Sequence, residues 1–246
     1  PKLPGNSHTT KQWSTMVLYT PIEIDQIQQD LPYLINIMQW VQSFLARPHP
    51  DLGRSGPVCP FVPQSIKSNS IQLGVIHAKN LEPQQVEEIM LRHRDTFLEL
   101  EPKDSETAIN KAILLIFPEL DIEETSKLID SVQKKLKPFF IESGLMIGEF
   151  HKRNETSGLH NPNFRPLRSP VPILAIRFMV ESDLPFLINT ENLNLRIKYL
   201  EAYLQRFGNE MRDNKNLNKA RQALALVREQ IQQENLSFKN EYITIK

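Results

Sequence analysis

The sequence predicts an α+β fold: a central mixed sheet of four to five strands with packed helices, followed by a C-terminal antiparallel helix hairpin. Apolar runs of strand length alternate with helical patterns in the order strand, helix, strand, helix, strand, strand. Two leucine stripes with helical spacing then follow each other near the end of the chain. With 246 residues, 40% of them hydrophobic, the chain is long enough to bury one sizeable core.

The N-terminal part is irregular except for one long helix. Residues 1–15 lack apolar periodicity and the apolar centre of a signal peptide, so we expect a mobile arm. Residues 22–46 carry apolar side chains at helical spacing and predict an amphipathic helix, which Pro32 should kink. The five prolines and two glycines of residues 47–64 predict an ordered or semi-ordered loop.

The core elements begin near residue 70. Apolar stretches predict four strands, at 70–78, 110–120, 145–151 and 171–179. Helical patterns separate the first three strands, at 83–101 and 121–144, and Pro83 suits the first turn of the earlier helix. We therefore assign residues 16–190 to one α/β-type core domain.

The C-terminal region, 191–246, departs from this alternation. One apolar stripe contains Leu193, Ile197, Leu200, Leu204 and Phe207, and the next contains Leu217, Ala220, Leu224, Val227 and Ile231. Their three- and four-residue spacing predicts an antiparallel hairpin of helices 191–207 and 214–235 that packs on the core. The hairpin is then either a lid on the sheet or a dimer surface.

Composition excludes several classes of protein. Lys and Arg number 29, as do Asp and Glu, and this balance argues against a dedicated nucleic-acid binder. No apolar run approaches the ~20 residues that span a bilayer, so we expect no membrane partner. Cys59 is the single cysteine, which rules out an intramolecular disulfide and favours a cytoplasmic location. The glycine-rich nucleotide motifs and the HExxH metal motif are absent from the sequence.

The segment 151–177 concentrates positive charge, with five Lys or Arg residues against the single acid Glu155. Several prolines restrict its backbone, so Arg165 and Arg168 would be preorganised for a carboxylate or phosphate. We expect this loop to wall the main pocket, with His160 pointing into it. The alternative is a structural loop whose arginines satisfy backbone carbonyls.

Three histidines and the cysteine are the other candidates. His93 lies on the apolar stripe of helix 83–101. This position suits either a buried histidine that is hydrogen-bonded to a backbone carbonyl or a haem ligand. His151 and His160 flank the excursion between two strands and suit an anion or metal site, or acid–base chemistry. Cys59, next to Pro60 and Phe61, is either a packed apolar group or a nucleophile that needs a nearby base.

Two segments resemble known families: HPDLGRSGPVCPFVP at 49–63 and GLHNPNFRPLRSPVPILAIRFM at 158–179. They resemble the signature segments of an uncharacterised bacterial domain family and, more remotely, the YqcI/YcgG family. Some YqcI/YcgG members are haem-dependent oxygenases that hydroxylate a guanidine nitrogen of arginine-type amino acids. The resemblance touches Cys59 and Pro60 in the turn and His160, Arg165 and Arg168 in the loop.

This resemblance implies a haem-binding oxygenase acting on a small amino-acid-like substrate, with N-hydroxylation in specialised metabolism as one option. His93 would hold the iron, with His160 and then His151 as the next candidates, and Arg165 and Arg168 would pair with haem propionates or the substrate carboxylate. The substrate pocket would include Cys59, Phe61 and Asn161. An electron donor would be a second partner.

Two alternatives do not need haem. One is a non-catalytic module that binds an anionic ligand or partner through the basic loop 151–177, with a homodimer formed through the helix hairpin. The other is an enzyme that uses His151 and His160 as acid–base groups, since histidine titrates near neutral pH.

Overall fold

A four-stranded mixed sheet organises the chain. The computed structural model describes residues 18–103, 105–208 and 215–244, and the predicted arm at 1–15 lies outside these ranges. The strands, in the sheet order β1-β2-β4-β3, are β1 Ile71–Val75, β2 Ala112–Ile116, β4 Ile173–Phe178 and β3 Leu145–Phe150. The α+β prediction is confirmed, and each observed strand lies inside a stretch that the sequence assigned to a strand.

The strand directions bring three chain segments to one edge. β1 and β2 are parallel, and β4 is antiparallel to both β2 and β3. β1, β2 and β3 therefore run the same way, and their C-terminal ends meet at one edge, where β4 begins. We call this the carboxyl edge. In open α/β sheets such an edge is where ligands bind.

Nine helices surround the sheet within the described ranges: α1 Pro21–Trp40, α2 Val62–Lys67, α3 Pro83–Glu99, α4 Ser105–Ala108, α5 Ile122–Thr125, α6 Ser131–Glu142, α7 Leu184–Ile188, α8 Leu193–Phe207 and α9 Lys215–Thr244. α1 continues through Pro32 and ends in a π turn, Val41–Leu45. A second π turn, Ser126–Asp130, joins α5 to α6. Such turns insert an extra residue into a helix and often occur at functional sites.

Both faces of the sheet are buried, which explains why the strands read as continuous apolar runs. Ile113, Leu115 and Ile147 pack against α3 and α6 on one face. The alternate residues Leu114 and Ile116 face the other side, where the end of α1 and its π turn cover them.

The predicted C-terminal hairpin is confirmed, and its second helix is longer than expected. The α8 and α9 stripes pack against each other, with Leu200 and Leu224 both buried. The cluster they form includes Met146 and Met179, at the start of β3 and just after β4. The hairpin therefore packs on the end of the sheet opposite the carboxyl edge. None of the described helices is both long and apolar enough to cross a membrane.

Candidate functional site

A cavity of about 400 Å³ opens at the carboxyl edge of the sheet. Its walls are Pro118 and residues 120–122 after β2, the segment 151–153 after β3 and the segment 170–172 before β4, together with Thr125. Both ends of the loop that joins β3 to β4 therefore border the cavity. The volume lies within the range of small-molecule sites.

His151 is the buried polar side chain of this cavity. Only 5% of its surface is exposed, and its Nε2 lies 2.9 Å from Oδ1 of Asp130, the last residue of the second π turn. Within the described residues, Nδ1 of the ring has no hydrogen-bond partner. A carboxylate that holds one imidazole nitrogen sets the tautomer and the orientation of the ring.

A second carboxyl group lies behind this pair. Glu149 lies in β3, two residues before His151, and its charge interacts with that of Asp130. Burial, and secondarily the negative charge of Asp130, raise the pKa of Glu149. Burial lowers the pKa of Lys137, whose charge interacts with Glu149. Shifted pKa values of this kind are common around functional sites.

Lys152 and Arg153 bring positive charge to the cavity. Both side chains are exposed and border it, and neither forms an ion pair with any described residue. The acid that borders the same cavity, Asp121, already accepts hydrogen bonds of 2.8 Å from the backbone N–H groups of Glu123 and Glu124. The cavity wall thus carries two cations that have no ion-pair partner among the described residues, the carboxylate of Asp121 and a buried imidazole.

The two arginines highlighted by the sequence have protein partners instead. Nε of Arg165 and Nη2 of Arg168 donate to the two oxygens of the Glu155 carboxylate, at 3.1 and 2.6 Å. Arg165 also donates to the carbonyl of Pro162, and Arg168 to that of Asn154. The hydrogen bonds from the two arginines lower the pKa of Glu155. These contacts agree with the structural alternative, and neither arginine lines the cavity.

The two leading haem-ligand candidates also lie away from this cavity. Nδ1 of His93 is 2.8 Å from the carbonyl oxygen of Ile89, one turn earlier in α3, and the side chain is half-buried. The His160 side chain is exposed, and neither histidine is part of the cavity wall. His151, the third candidate, is the histidine that the fold places there. Among the described residues, no three His, Cys, Asp or Glu side chains are arranged to hold a metal ion.

The two signature segments meet at a tight junction. A Cβ atom on Gly53, which has φ of +77°, would lie 2.6 Å from the His160 carbonyl oxygen. Nδ2 of Asn161 donates to the Asp51 carbonyl at 2.8 Å. The predicted pocket residues Cys59, Phe61 and Asn161 do not line the cavity, and half-buried Cys59 packs in the apolar cluster beneath α1.

A second histidine with carboxylate partners, His77 with Asp30 and Glu119, lies on the same edge of the sheet. His77 follows β1, and its ring nitrogens lie 2.8 Å from Asp30 of α1 and 3.0 Å from Glu119. Its hydrogen bonds to Glu119 and Asp30 raise the pKa of His77. Sequence reasoning missed this cluster. The signal was available, because His77 and Glu119 each follow closely after one of two parallel strands.

Comparison with known proteins assigns a family. Residues 34–218 match the family model described as "Domain of unknown function (DUF6875)", so the chain belongs to this family. The match agrees with the expected uncharacterised domain family. It extends from within α1 to the beginning of α9 and includes every wall of the cavity. Searches of curated proteins and of solved structures gave no match.

Proposed function

We propose that this chain binds a small anionic molecule in the carboxyl-edge cavity and that His151 exchanges a proton with it. One observation carries the proposal. A buried histidine is held by Asp130 through one ring nitrogen, and among the described residues its other ring nitrogen has no hydrogen-bond partner. Lys152 and Arg153 border the same cavity, and neither has an ion-pair partner in the described part of the chain. A convergence of few polar groups in a concave site is typical of ligand binding.

The cation pair selects for negative charge on the ligand. Lys152 acts as a mobile point charge, and Arg153 offers a planar fork that matches a carboxylate or a phosphate. Much of the remaining wall is apolar, including Leu120, Ile122 and Val171. A molecule with one anionic group and a compact apolar part meets both requirements.

The His151–Asp130 pair supplies acid–base chemistry. When the Nε2–H donates to Asp130, the lone pair of Nδ1 is free to accept a proton from the ligand. Asp130 then stabilises the imidazolium, which can return the proton at a later step. A reaction that begins with proton removal from a carboxylate or phosphate compound suits this arrangement.

Isothermal titration with a series of small carboxylates and phosphate monoesters tests the proposal. We expect the double variant Lys152→Ala/Arg153→Ala to weaken binding of the best ligand at least tenfold, and raised salt to weaken wild-type binding. Arg168→Ala is the matched control, because this loop arginine is bonded to Glu155 and lies outside the cavity wall. An equal loss in the control would place the anion site on the loop arginines instead.

A haem-dependent oxygenase acting on a small amino-acid-like substrate is the second candidate. It rests on the resemblance to the YqcI/YcgG family and on one contact: Nδ1 of His93 bonds the Ile89 carbonyl, and Nε2 has no partner among the described residues. Metal-binding histidines are commonly held in this way. Bound haem would supply the oxygen chemistry, and the reaction would need an electron donor. A cytoplasmic location would suit a chain with a single cysteine.

The absorption spectrum with added hemin decides this candidate. A saturable Soret band in wild type that is lost in His93→Ala supports it and identifies the ligand, while a band lost in His160→Ala moves the ligand there. If hemin causes no saturable change in wild type, the haem hypothesis fails, and the anion-binding proposal is unaffected.

A further inference from the structure

His77 joins two separate parts of the chain, α1 and the segment after β2. Its Nε2 lies 2.8 Å from Oδ1 of Asp30 in α1, and its Nδ1 lies 3.0 Å from Oε1 of Glu119. Gln26, one turn before Asp30, places its amide nitrogen 3.1 Å from the same Nε2 and 3.0 Å from the Asp30 carboxylate. We call these four residues the His77 cluster.

The two carboxylate contacts require a proton on each nitrogen of the ring. An ionised carboxylate can only accept hydrogen bonds, so Asp30 and Glu119 each need an N–H donor from His77. An imidazolium ring has two such donors, whereas a neutral ring has one. The hydrogen bond from His77 also lowers the pKa of Glu119, which keeps that carboxylate ionised. Both contacts are therefore complete only while His77 is charged.

The charged groups around the ring favour its charged state. Glu119 faces it from the segment after β2 and Asp30 from α1, and the hydrogen bonds to these two acids raise the pKa of His77. From the segment after β1, the backbone N–H of Lys79 donates to Glu119, and the Lys79 charge acts on that carboxylate. Within the described residues, His77 is the single ion-pair partner of Asp30 and of Glu119.

The first half of α1 is fastened to the sheet through this cluster. Every residue from 21 to 32 is exposed except Asp30, and the apolar cluster beneath the helix begins at Tyr33. In the described part of the chain, residues 21–31 form hydrogen bonds within the helix and with its cap, Thr20. Their remaining hydrogen bonds are those of Gln26 and Asp30 with His77.

Pro32 separates this exposed half from the half that packs on the sheet. Proline has no backbone N–H, so α1 lacks the helical bond from residue 32 to the carbonyl of Gln28. Helices bend most readily where such a bond is missing. Beyond this point the helix is held by packing, and Ile37 is completely buried.

We propose that loss of a proton from His77 breaks its contact with Asp30 and lets residues 21–31 turn away from the sheet about Pro32. With the remaining proton on Nδ1, the bond to Glu119 persists, and Nε2 accepts from Gln26 while its lone pair repels Asp30. The opposite tautomer would leave Nδ1 facing Glu119 with no described donor in its place.

The α1 side of the cluster therefore gives way. A neutral bond from the amide of Gln26 replaces a charge-assisted bond to Asp30, and charge-assisted bonds are about twice as strong. The inference is independent of the proposed function, because no member of the His77 cluster lines the cavity.

Hydrogen–deuterium exchange of the full chain, followed by mass spectrometry from pH 6 to pH 9 and corrected for the intrinsic pH dependence of amide exchange, tests the inference. In wild type, we expect the protection of residues 25–31 to fall about fivefold over this range, while residues 33–40 keep theirs. His77→Gln and Asp30→Asn should show low protection of residues 25–31 at every pH. Asp25→Asn is the matched control, because it removes an exposed charge from the same half of α1 that has no partner among the described residues, and it should behave as wild type.

Circular dichroism checks that the variants fold, and the wild-type series does not depend on them. The inference fails if the protection of residues 25–31 in wild type does not change with pH, or if the change persists in His77→Gln. It also fails if residues 33–40 lose protection to the same extent, which would mean that the whole helix detaches instead of bending at its proline. Equal effects of Asp25→Asn and Asp30→Asn would assign the response to the overall charge of the helix.

Discussion

The ion pair between Arg177 and Asp183 fastens the end of β4 to the start of α7, and its removal should destabilise the fold strongly. Nη1 and Nη2 of Arg177 donate to the two Asp183 oxygens at 2.7 and 2.6 Å, and the Val180 N–H donates to the same carboxylate at 2.9 Å. Burial alone would lower the pKa of Arg177, but Asp183 outweighs that effect and raises it. The test is Asp183→Asn, which keeps the shape and removes the charge.

The expected cost follows from the burial of the carboxylate. Asp183 is 3% exposed, and breaking a buried pair by removing one partner costs about 3–5 kcal/mol. The asparagine amide also turns one acceptor into a donor that faces the guanidinium. Because the Arg177 side chain is 34% exposed and can regain water, we expect the lower end, a loss of about 3 kcal/mol in the free energy of unfolding.

Urea unfolding measures this loss, provided that the slope against denaturant is the same in both proteins. The matched control is Glu155→Gln. That carboxylate also bonds two guanidinium groups, but its side chain is 69% exposed. Exposed pairs contribute little, so the midpoint of the control should stay close to wild type. The reasoning is refuted if Asp183→Asn loses less than about 1 kcal/mol, or if both variants shift the midpoint equally.

Three further predictions concern the packing and the pH response. Leu200→Asp and Leu224→Asp place a charge inside the hairpin, and each should lose about 4 kcal/mol in urea unfolding; unchanged stability would contradict the hairpin packing. Gly53→Ala should lower the free energy of unfolding by about 3 kcal/mol, because the new Cβ atom would clash with the backbone of His160. Gly56 also has a positive φ, +89°, but the atom nearest to its Cβ would be 3.5 Å away, so Gly56→Ala should lose only about 1 kcal/mol. Equal losses in the two variants would contradict the close approach at Gly53. The pKa of His77 is raised in the folded state, so protonation of His77 stabilises the fold below the unfolded pKa near 6.5, and this stabilisation is lost as pH rises through the folded pKa. The loss of unfolding free energy in His77→Gln should therefore be smaller at pH 9 than at pH 6. A loss that does not change with pH would contradict this prediction.

The regular elements were predictable because local patterns determine them. The run 112–116 is buried on both faces, and a continuous apolar stretch is the signal for such a strand. The long stripes at 193–207 and 217–231 likewise predict two helices that pack together. The length of α9 was underestimated: the apolar stripe predicted an end at residue 235, and the helix continues to Thr244.

The site was less predictable, because it depends on contacts between distant residues. In sequence, Lys152 and Arg153 look like Arg165 and Arg168, and the difference arises when Glu155 pairs with the second two. Glu155 is the single acid in the segment 151–177, so its pairing with some of the cations there was foreseeable. The choice of Arg165 and Arg168 as its partners depends on the path of the loop.

The histidine at the site was named by sequence reasoning but ranked below two others. The sequence placed His151 at the end of a strand, and in the structure it directly follows β3 and borders the cavity. Its partner Asp130 is 21 residues earlier and reaches it through the π turn and the register of β3 on the sheet. Helical spacing alone favoured His93, whose Nδ1 is satisfied by its own helix.

The most direct test of the account follows the ring nitrogens of all six histidines by nuclear magnetic resonance while small carboxylates or inorganic phosphate are added. His151→Gln identifies the His151 signals. We predict that, of the six histidines, His151 shows the largest change in its ring-nitrogen signals on addition of the anion, and that Lys152→Ala/Arg153→Ala abolishes this change. If the His93 or His160 signals move instead and those of His151 do not, the site is elsewhere and the account is contradicted.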